Sequence, residues 1–175
     1  MRLRLVVMGM ALVLAGCGGD NSETLSEDVS TIATNNVSSG EELPDVTLSG
    51  VDGSQVTTRE FVGTPMVINF WYSTCEPCRR EMPAFAAAHR EFADRVTFIG
   101  VNMYDSAIAA ANFAERYGVE YEILLDSNGE FVGELGVALA PTTILVDTAG
   151  TIVHQESGEL TEEEITALIN EWILT

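Results

Sequence analysis

Two cysteines one helical turn apart, directly after an apolar run, constrain this sequence more than any other feature. Residues Met66–Trp71 are β-branched and aromatic, as in a buried strand, and the residues after Cys78 are predicted to form a helix. We therefore expect Cys75 at a helix N-terminus, where unpaired N–H groups and the helix dipole favour a thiolate. Because Cys78 lies within reach of Cys75, the spacing predicts a redox-active dithiol that opens and closes.

The first seventeen residues indicate where the chain acts. Arg2 and Arg4 form a short positive region, and the apolar run at 5–14 is too short to span a membrane comfortably. It ends in Leu-Ala-Gly-Cys17, which resembles the bacterial lipobox. This resemblance implies a signal peptide at 1–16, a lipid on Cys17, and a location on the extracytoplasmic face of the bacterial cell membrane. The alternative is an ordinary secretory signal with an incidental cysteine.

The cysteine count favours catalysis over a structural role. Of the three cysteines, Cys17 is assigned to lipid, so only Cys75 and Cys78 remain and no disulfide framework is available. A zinc site needs four ligands, and His89 and His154 do not complete a set with one cysteine pair. We therefore expect no metal and no cofactor beyond the Cys75–Cys78 disulfide, and we expect both histidines to be surface or interface groups.

The charge of the chain excludes some partners. The formal net charge is −19, with 8 basic and 27 acidic residues, and both Arg2 and Arg4 belong to the predicted signal peptide. A domain this acidic is repelled by nucleic acid and by anionic lipid surfaces. We therefore expect no nucleic-acid partner, and a membrane contact only through the lipid anchor.

The remaining chain divides into a tether and one domain. Residues 17–42 are polar and small and cannot bury enough surface to fold alone, whereas 43–175 carry regular apolar patterns. Strands are predicted at 46–48, 55–57, 66–71, 96–101, 122–125, 142–146 and 151–154, and helices at 78–92, 106–117, 130–135 and from 161, with Ile165, Leu168, Ile169 and Trp172 in the core. Pro83 is expected to kink or restart the first helix. These elements predict an α/β domain with an N-terminal β-hairpin and a mixed central sheet covered by helices on both faces.

Four short motifs together resemble one family. They are Phe70-Trp71, Cys75-Glu76-Pro77-Cys78, Glu81-Met82-Pro83 and Ala140-Pro141-Thr142-Thr143. The chain resembles the TlpA/ResA-like branch of the thioredoxin superfamily over about 43–174. The resemblance implies a thioredoxin-like fold and a membrane-tethered thiol-disulfide oxidoreductase. It implies a reductase of disulfides in exported proteins such as apocytochrome c, supplied with electrons by a membrane thiol-disulfide carrier.

Each motif residue has an expected role. Cys75 attacks a partner disulfide as a thiolate, and Cys78 resolves the mixed disulfide. Glu81 lies one turn after Cys78 on the same helical face, so a buried carboxyl with a raised pKa is expected there, and the resemblance gives it a proton-transfer role. The resemblance also implies that Pro141 is a cis-proline facing the dithiol. In that case Ala140 offers a backbone edge to a substrate strand.

Glu76 and Pro77, between the two cysteines, and Thr74, which differs from the family pattern, are expected to affect substrate binding. Glu76 disfavours a neighbouring thiolate, whereas Arg79, Arg80 and the helix dipole favour it, so the sequence does not fix the net effect. Pro77 suits the first turn of a helix because it lacks an N–H. We expect Glu76 and Pro77 to contribute to docking together with Ala140 and Pro141. Many relatives have tryptophan before the first cysteine, but this chain has Thr74, which predicts a more open and less apolar face.

Three other functions remain open from the sequence. The same dithiol could form or isomerise disulfides in exported proteins, and only its redox poise separates this from reduction. A thiol peroxidase of the peroxiredoxin type is a second alternative, although no threonine-proline-rich loop precedes Cys75. A Cu(I)-binding module is a third, but Met82 and Met103 are better explained as core residues.

Overall fold

The structure is a computed structural model that describes Asn35 and residues 39–174. The predicted signal peptide, the lipidation site at Cys17 and most of the predicted tether lie outside the described residues. Within the described part of the chain, no helix combines the length and the apolar character that a membrane span requires.

Between residues 39 and 174, the structure contains seven strands and four α-helices. The strands are β1 Thr47–Gly50, β2 Gln55–Thr57, β3 Met66–Trp71, β4 Thr97–Asn102, β5 Glu122–Leu125, β6 Thr142–Val146 and β7 Ile152–Ser157. The helices are α1 Glu76–Phe92, α2 Ala107–Tyr117, α3 Glu130–Glu134 and α4 Glu162–Trp172, and a short 3-10 helix, Thr58–Phe61, follows β2.

All seven strands belong to one mixed sheet in the order β2-β1-β5-β4-β3-β6-β7. The central strands β3, β4 and β5 are parallel, and the outer pairings are antiparallel. The predicted N-terminal hairpin is present as β1 and β2, and β6 and β7 form the second hairpin. The predicted thioredoxin-like α/β class is thus confirmed.

The strand that leads into the dithiol is buried on both sides of the sheet. Alternate residues of β3 point to opposite faces, so Val67 and Trp71 join the core under α1, α2 and α4, while Ile68 and Phe70 join the core that includes Phe131 of α3. Every residue of β3 is buried. The strand therefore holds the following loop on a rigid support, with helices on both faces as predicted.

The first helix differs from its prediction at two points. It begins at Glu76 rather than Cys78, because Cys75 itself is the N-cap. The helix also continues unbroken through Pro83 instead of restarting there. Pro83 lies on the exposed side of the helix, where water can satisfy the carbonyl that has lost its partner, so the proline is tolerated.

The last helix also differs in part. Ile165 and Ile169 are buried as predicted, but Trp172 is 40% exposed and Leu168 is only partly buried. The indole of Trp172 stacks on the ring of His154, with 4.9 Å between ring centroids. Fewer apolar residues of α4 are therefore buried than their helical spacing predicts.

The described end of the predicted tether contacts the domain. The amide of Gly40 donates to the carbonyl of Ile152 at 2.7 Å, and Glu42 forms an isolated bridge with Thr151. The amide of Leu43 donates to Gly150 at 2.8 Å. Residues 40–43, which precede β1, therefore form backbone pairs with residues 150–152 at the start of β7. Contacts with the domain thus include residues before position 43.

Candidate active site

The dithiol is closed as a disulfide at the N-terminus of α1. Cys75 and Cys78 are joined with an S–S distance of 2.05 Å, and the Sγ of Cys75 accepts a hydrogen bond from the amide of Cys78 at 3.2 Å. An N–H aimed at this sulfur, together with the helix dipole, stabilises negative charge on Cys75. Cys75 is 4% exposed and Cys78 is fully buried, so only the first sulfur lies near the surface.

A carboxylate fixes the loop that carries Cys75. The backbone amide and the hydroxyl of Ser73 both donate to Asp105, at 2.6 and 2.7 Å. The side-chain amide of Asn102 donates to the same carboxylate at 2.7 Å, and its oxygen accepts from the amide of Asp105 at 2.8 Å. The end of β4 therefore holds the segment between β3 and α1 in place.

The loop before β6 lies against the first sulfur. The Ala140–Pro141 peptide bond is cis, the conformation that the family resemblance implies. The carbonyl oxygen of Ala140 lies 3.7 Å from the Sγ of Cys75. Ala140 is partly exposed and Pro141 is buried, so the residue beside the disulfide is partly accessible to solvent.

The carboxyl group of Glu81 is buried beneath the first turn of α1. Glu81 is 2% exposed, accepts a hydrogen bond from the side-chain amide of Asn69 at 2.9 Å, and accepts another from the backbone amide of Leu160 at 3.2 Å. Burial raises its pKa to about 8, the two hydrogen bonds oppose this increase, and the charge of Glu159 adds to it. The burial of this carboxyl group and its raised pKa agree with the prediction made from its position one turn after Cys78.

Two neighbours of Glu81 were not predicted from the sequence. Asn69 is a buried polar residue in the middle of β3, and within the described residues its Oδ1 has no hydrogen-bond partner. Tyr121 is buried and donates from its hydroxyl to the sulfur of Met82 at 3.3 Å. Burial and then the charge of Glu81 raise the pKa of Tyr121. One polar side chain within an apolar strand was the signal that could have identified Asn69.

The basic residues after the dithiol are paired with acidic side chains. Arg79 lies 3.3 Å from a carboxylate oxygen of Glu76, and Arg80 lies 3.9 Å from the other. Arg80 also donates to Glu159 at 2.7 Å through its Nε. These partly exposed pairs contribute little to stability, but each guanidinium has an anion beside it.

The surface beside Thr74 carries tyrosines in place of the absent indole. Thr74 is exposed. Tyr72 and Tyr104 meet edge to face with 5.2 Å between ring centroids, and Tyr104 is 70% exposed. The face therefore has aromatic surface close to Cys75, whose amide donates to the carbonyl of Tyr72.

The two histidines lie away from the disulfide. His89 packs edge-on against Phe98 and Tyr121, and burial lowers its pKa. His154 stacks on Trp172 and lies 3.3 Å from a carboxylate oxygen of Glu156.

Glu76 and Pro77 lie in the first turn of α1, with Glu76 exposed and Pro77 partly buried.

Disulfide chemistry at a helix N-terminus, within a thioredoxin-like sheet, defines this chain as a thiol-disulfide oxidoreductase. A model of the Redoxin family matches residues 38–169, and the chain belongs to that family.

Characterised relatives agree with this class. Thiol-disulfide oxidoreductase ResA of Bacillus subtilis is 31% identical over 135 residues, covering 77% of this chain and 75% of the relative. ResA of Halalkalibacterium halodurans is 32% identical over 127 residues, covering 72% of each chain. The solved structure of DsbF from Mycobacterium tuberculosis, in mixed oxidised and reduced forms, is 26% identical with a TM-score of 0.67 and covers 72% of this chain and 93% of that one.

Proposed function

We propose that this protein is a lipid-anchored reductase on the extracytoplasmic face of a bacterial membrane. Its substrates are disulfides in exported proteins, with apocytochrome c as the leading candidate. A membrane thiol-disulfide carrier supplies the electrons. The signal-like residues 1–16 and the lipobox cysteine Cys17 support the location, and the relatives named above support disulfide exchange.

The charged side chains that follow Cys75 support electron flow from the protein to the substrate. A strongly oxidising dithiol owes its potential to stabilisation of the reduced thiolate. Here Arg79 and Arg80 each lie beside a carboxylate, from Glu76 or Glu159, so their positive charge is offset. Among the described residues, the amide of Cys78 and the helix dipole then stabilise the Cys75 thiolate. Because this stabilisation is limited, it favours a reducing dithiol.

The reaction proceeds through two exchanges. The Cys75 thiolate attacks one sulfur of the substrate disulfide, and the other substrate sulfur leaves as a thiolate and is protonated. Cys78 then loses its proton and attacks the Sγ of Cys75, which releases the second substrate thiol. Two electrons pass to the substrate, and the protein is left with the closed Cys75–Cys78 disulfide of the structure.

Glu81 serves the second exchange. Cys78 is fully buried, so its proton needs an acceptor inside the protein before it becomes a nucleophile. Glu81 lies one helical turn later on the same face, and burial raises its pKa to about 8. A carboxyl group that titrates near the working pH is suited to accept and return this proton.

Docking uses the backbone edge at Ala140. A substrate in extended conformation pairs with an accessible strand-like edge through main-chain hydrogen bonds. The carbonyl of Ala140 lies 3.7 Å from the reacting sulfur, so a substrate paired there presents its disulfide to Cys75. Pro141 follows this edge, and Glu76 and Pro77 lie between the two cysteines in the first turn of α1, where they contribute to docking.

A trapping experiment tests the chemistry and the substrate. Reduced Cys78→Ala protein is mixed with an oxidised peptide containing Cys-x-x-Cys-His, the haem attachment sequence of c-type cytochromes. We expect a mixed disulfide on Cys75 with the Cys78→Ala protein and none with Cys75→Ala. Wild-type protein should release the reduced peptide. Absence of a mixed disulfide, or faster oxidation of the reduced peptide by oxidised protein, contradicts the proposal.

The anchor is tested separately in cells. The full chain and a Cys17→Ser variant are expressed in a bacterium and the membranes are separated from the soluble fraction. We expect the full chain in the membrane fraction with a lipid mass on Cys17, and the variant without that mass. A full chain whose mature N-terminus carries no lipid contradicts the anchored form.

A further inference from the structure

One asparagine from the N-terminal segment binds the loop that faces the dithiol. The Oδ1 of Asn35 accepts hydrogen bonds from the amides of Ala138 and Leu139, at 2.7 and 2.8 Å. Its Nδ2 donates to the hydroxyls of Thr142 and Ser157, at 2.5 and 2.7 Å. An asparagine amide has two donor hydrogens and two acceptor lone pairs, so all four are used on these groups.

The bound groups belong to the segment that presents Ala140. We call residues 138–141, between the end of α3 and the start of β6, the cis-proline loop. Within the described residues, Asn35 is the acceptor for the amides of both Ala138 and Leu139. The hydroxyl of Thr142 donates in turn to the carbonyl of Leu139 at 2.8 Å. Asn35 therefore ties the loop to the strands β6 and β7 that border it.

The first half of the loop depends on this support, because Ala140 packs against the core and Pro141 is buried, whereas Ala138 and Leu139 are not. It has no regular secondary structure, and both Ala138 and Leu139 are exposed. Its far end is held by the amide of Gly158, which donates to the carbonyl of Pro141 at 2.9 Å. The residue between these two attachments is Ala140, whose carbonyl lies 3.7 Å from the Sγ of Cys75. An attachment at Asn35 consequently sets where the docking edge lies relative to the sulfur.

We propose that Asn35 is a positioning residue that holds the cis-proline loop for docking of protein disulfides. The inference rests on the proposed function, because it assigns Asn35 to the docking edge of that same site. Asn35 acts through the loop and does not itself touch the reacting atoms.

The test compares large and small disulfide substrates. Second-order rate constants are measured for reduced wild-type, Asn35→Ala and Asn35→Asp proteins with an extended peptide disulfide and with glutathione disulfide. We expect Asn35→Ala to slow the peptide reaction by about tenfold, because the docking edge is loosened, and to leave the glutathione reaction within about twofold. The reduction potential should not change.

Two variants make the result specific to Asn35. Asn35→Asp keeps an oxygen that accepts from Ala138 and Leu139, so it should restore most of the peptide rate. Asn170→Ala is the same substitution at an exposed asparagine of α4, and it should behave as wild type because its side-chain amide donates to the carbonyl of Thr166 and not to the cis-proline loop. Unfolding midpoints are measured for all variants to confirm that each is folded under the assay conditions.

The outcomes separate this inference from the proposed function. If wild type reduces the peptide and Asn35→Ala does so equally fast, the inference is wrong and the function stands. An equal slowing with peptide and glutathione disulfide also overturns the inference, since the effect would then lie in the dithiol itself. If wild type fails to reduce the peptide, the proposed function is wrong whatever Asn35 does.

Discussion

The side-chain amide of Asn69 donates a 2.9 Å hydrogen bond to the carboxyl group of Glu81, and both side chains are almost completely buried. The pair joins the strand before the dithiol to the helix that carries it. Burial makes the charged carboxylate unfavourable, and the hydrogen bond from Asn69 reduces that cost. The two residues together therefore determine when Glu81 carries a proton.

Glu81 should make the stability of the oxidised protein fall with increasing pH. Its pKa is raised from 4.5 to about 8 on folding, so between these values the unfolded chain is ionised while the folded protein keeps a proton. Stability is therefore lost across that window, by an amount on the order of a few kcal/mol. Urea unfolding of wild type and Glu81→Gln from pH 4 to 9 measures this difference.

The variant should flatten the pH dependence in that window. Glu163→Gln, at an exposed position of α4, is the matched control and should keep the wild-type slope. An unchanged slope in Glu81→Gln would show that Glu81 titrates at an ordinary pKa in the folded protein.

Asn69→Ala should move the titration of Glu81 to higher pH. The substitution removes a hydrogen bond that lowers the pKa and leaves burial, which raises it, in place. The pH window over which stability is lost should extend upward, and the variant should lose about 1–3 kcal/mol because a buried hydrogen-bond partner is removed. The same urea series measures both effects, and a window that moves to lower pH contradicts the assignment.

The sequence predicted the elements around the site better than the contacts within it. The apolar run at Met66–Trp71 and the spacing of Cys75 and Cys78 depend on neighbouring residues, so strand, turn and helix followed from local patterns. The partners of Glu81 come from distant parts of the chain, since Leu160 is 79 residues away. No local period encodes such a pairing, and only the folded sheet brings those groups together.

The errors have a similar origin. Pro83 was expected to interrupt α1, but whether a proline is tolerated depends on which side of the helix faces water. Trp172 fits the apolar spacing of α4, yet it stacks on His154 of the edge strand β7 and stays 40% exposed. Asn35 lies in a polar segment without any pattern, so its four contacts could not be foreseen.

Asp105→Ala should loosen the segment before Cys75. The carboxylate accepts hydrogen bonds from the backbone and hydroxyl of Ser73 and from Asn102, and the substitution leaves all three donors without it. We expect a loss of about 1–3 kcal/mol of unfolding free energy and faster amide hydrogen exchange at Ser73. Asp94→Ala, at an exposed carboxylate, is the control. Equal exchange at Ser73 in both variants would contradict this role of Asp105.

Gly100→Ala should destabilise the sheet beneath α1. A Cβ at Gly100 would lie 2.7 Å from the Cδ1 of Ile123 and 2.9 Å from the indole nitrogen of Trp71. We expect a loss of about 1–3 kcal/mol, with a change in tryptophan fluorescence, because the core must shift. Gly133→Ala on α3 meets open space and should be neutral or stabilise by up to about 1 kcal/mol. Equal stability of the two variants would contradict close packing at Gly100.

The direction of electron flow is the central claim, and the reduction potential of the Cys75–Cys78 pair tests it most directly. The protein with Cys17 replaced by serine is equilibrated in defined thiol-disulfide buffers, and the fraction of dithiol is measured after alkylation. The account predicts a value near that of thioredoxin, about −270 mV, or lower. A value near about −120 mV, typical of a strong oxidant, would contradict a reductase and assign the protein to disulfide formation.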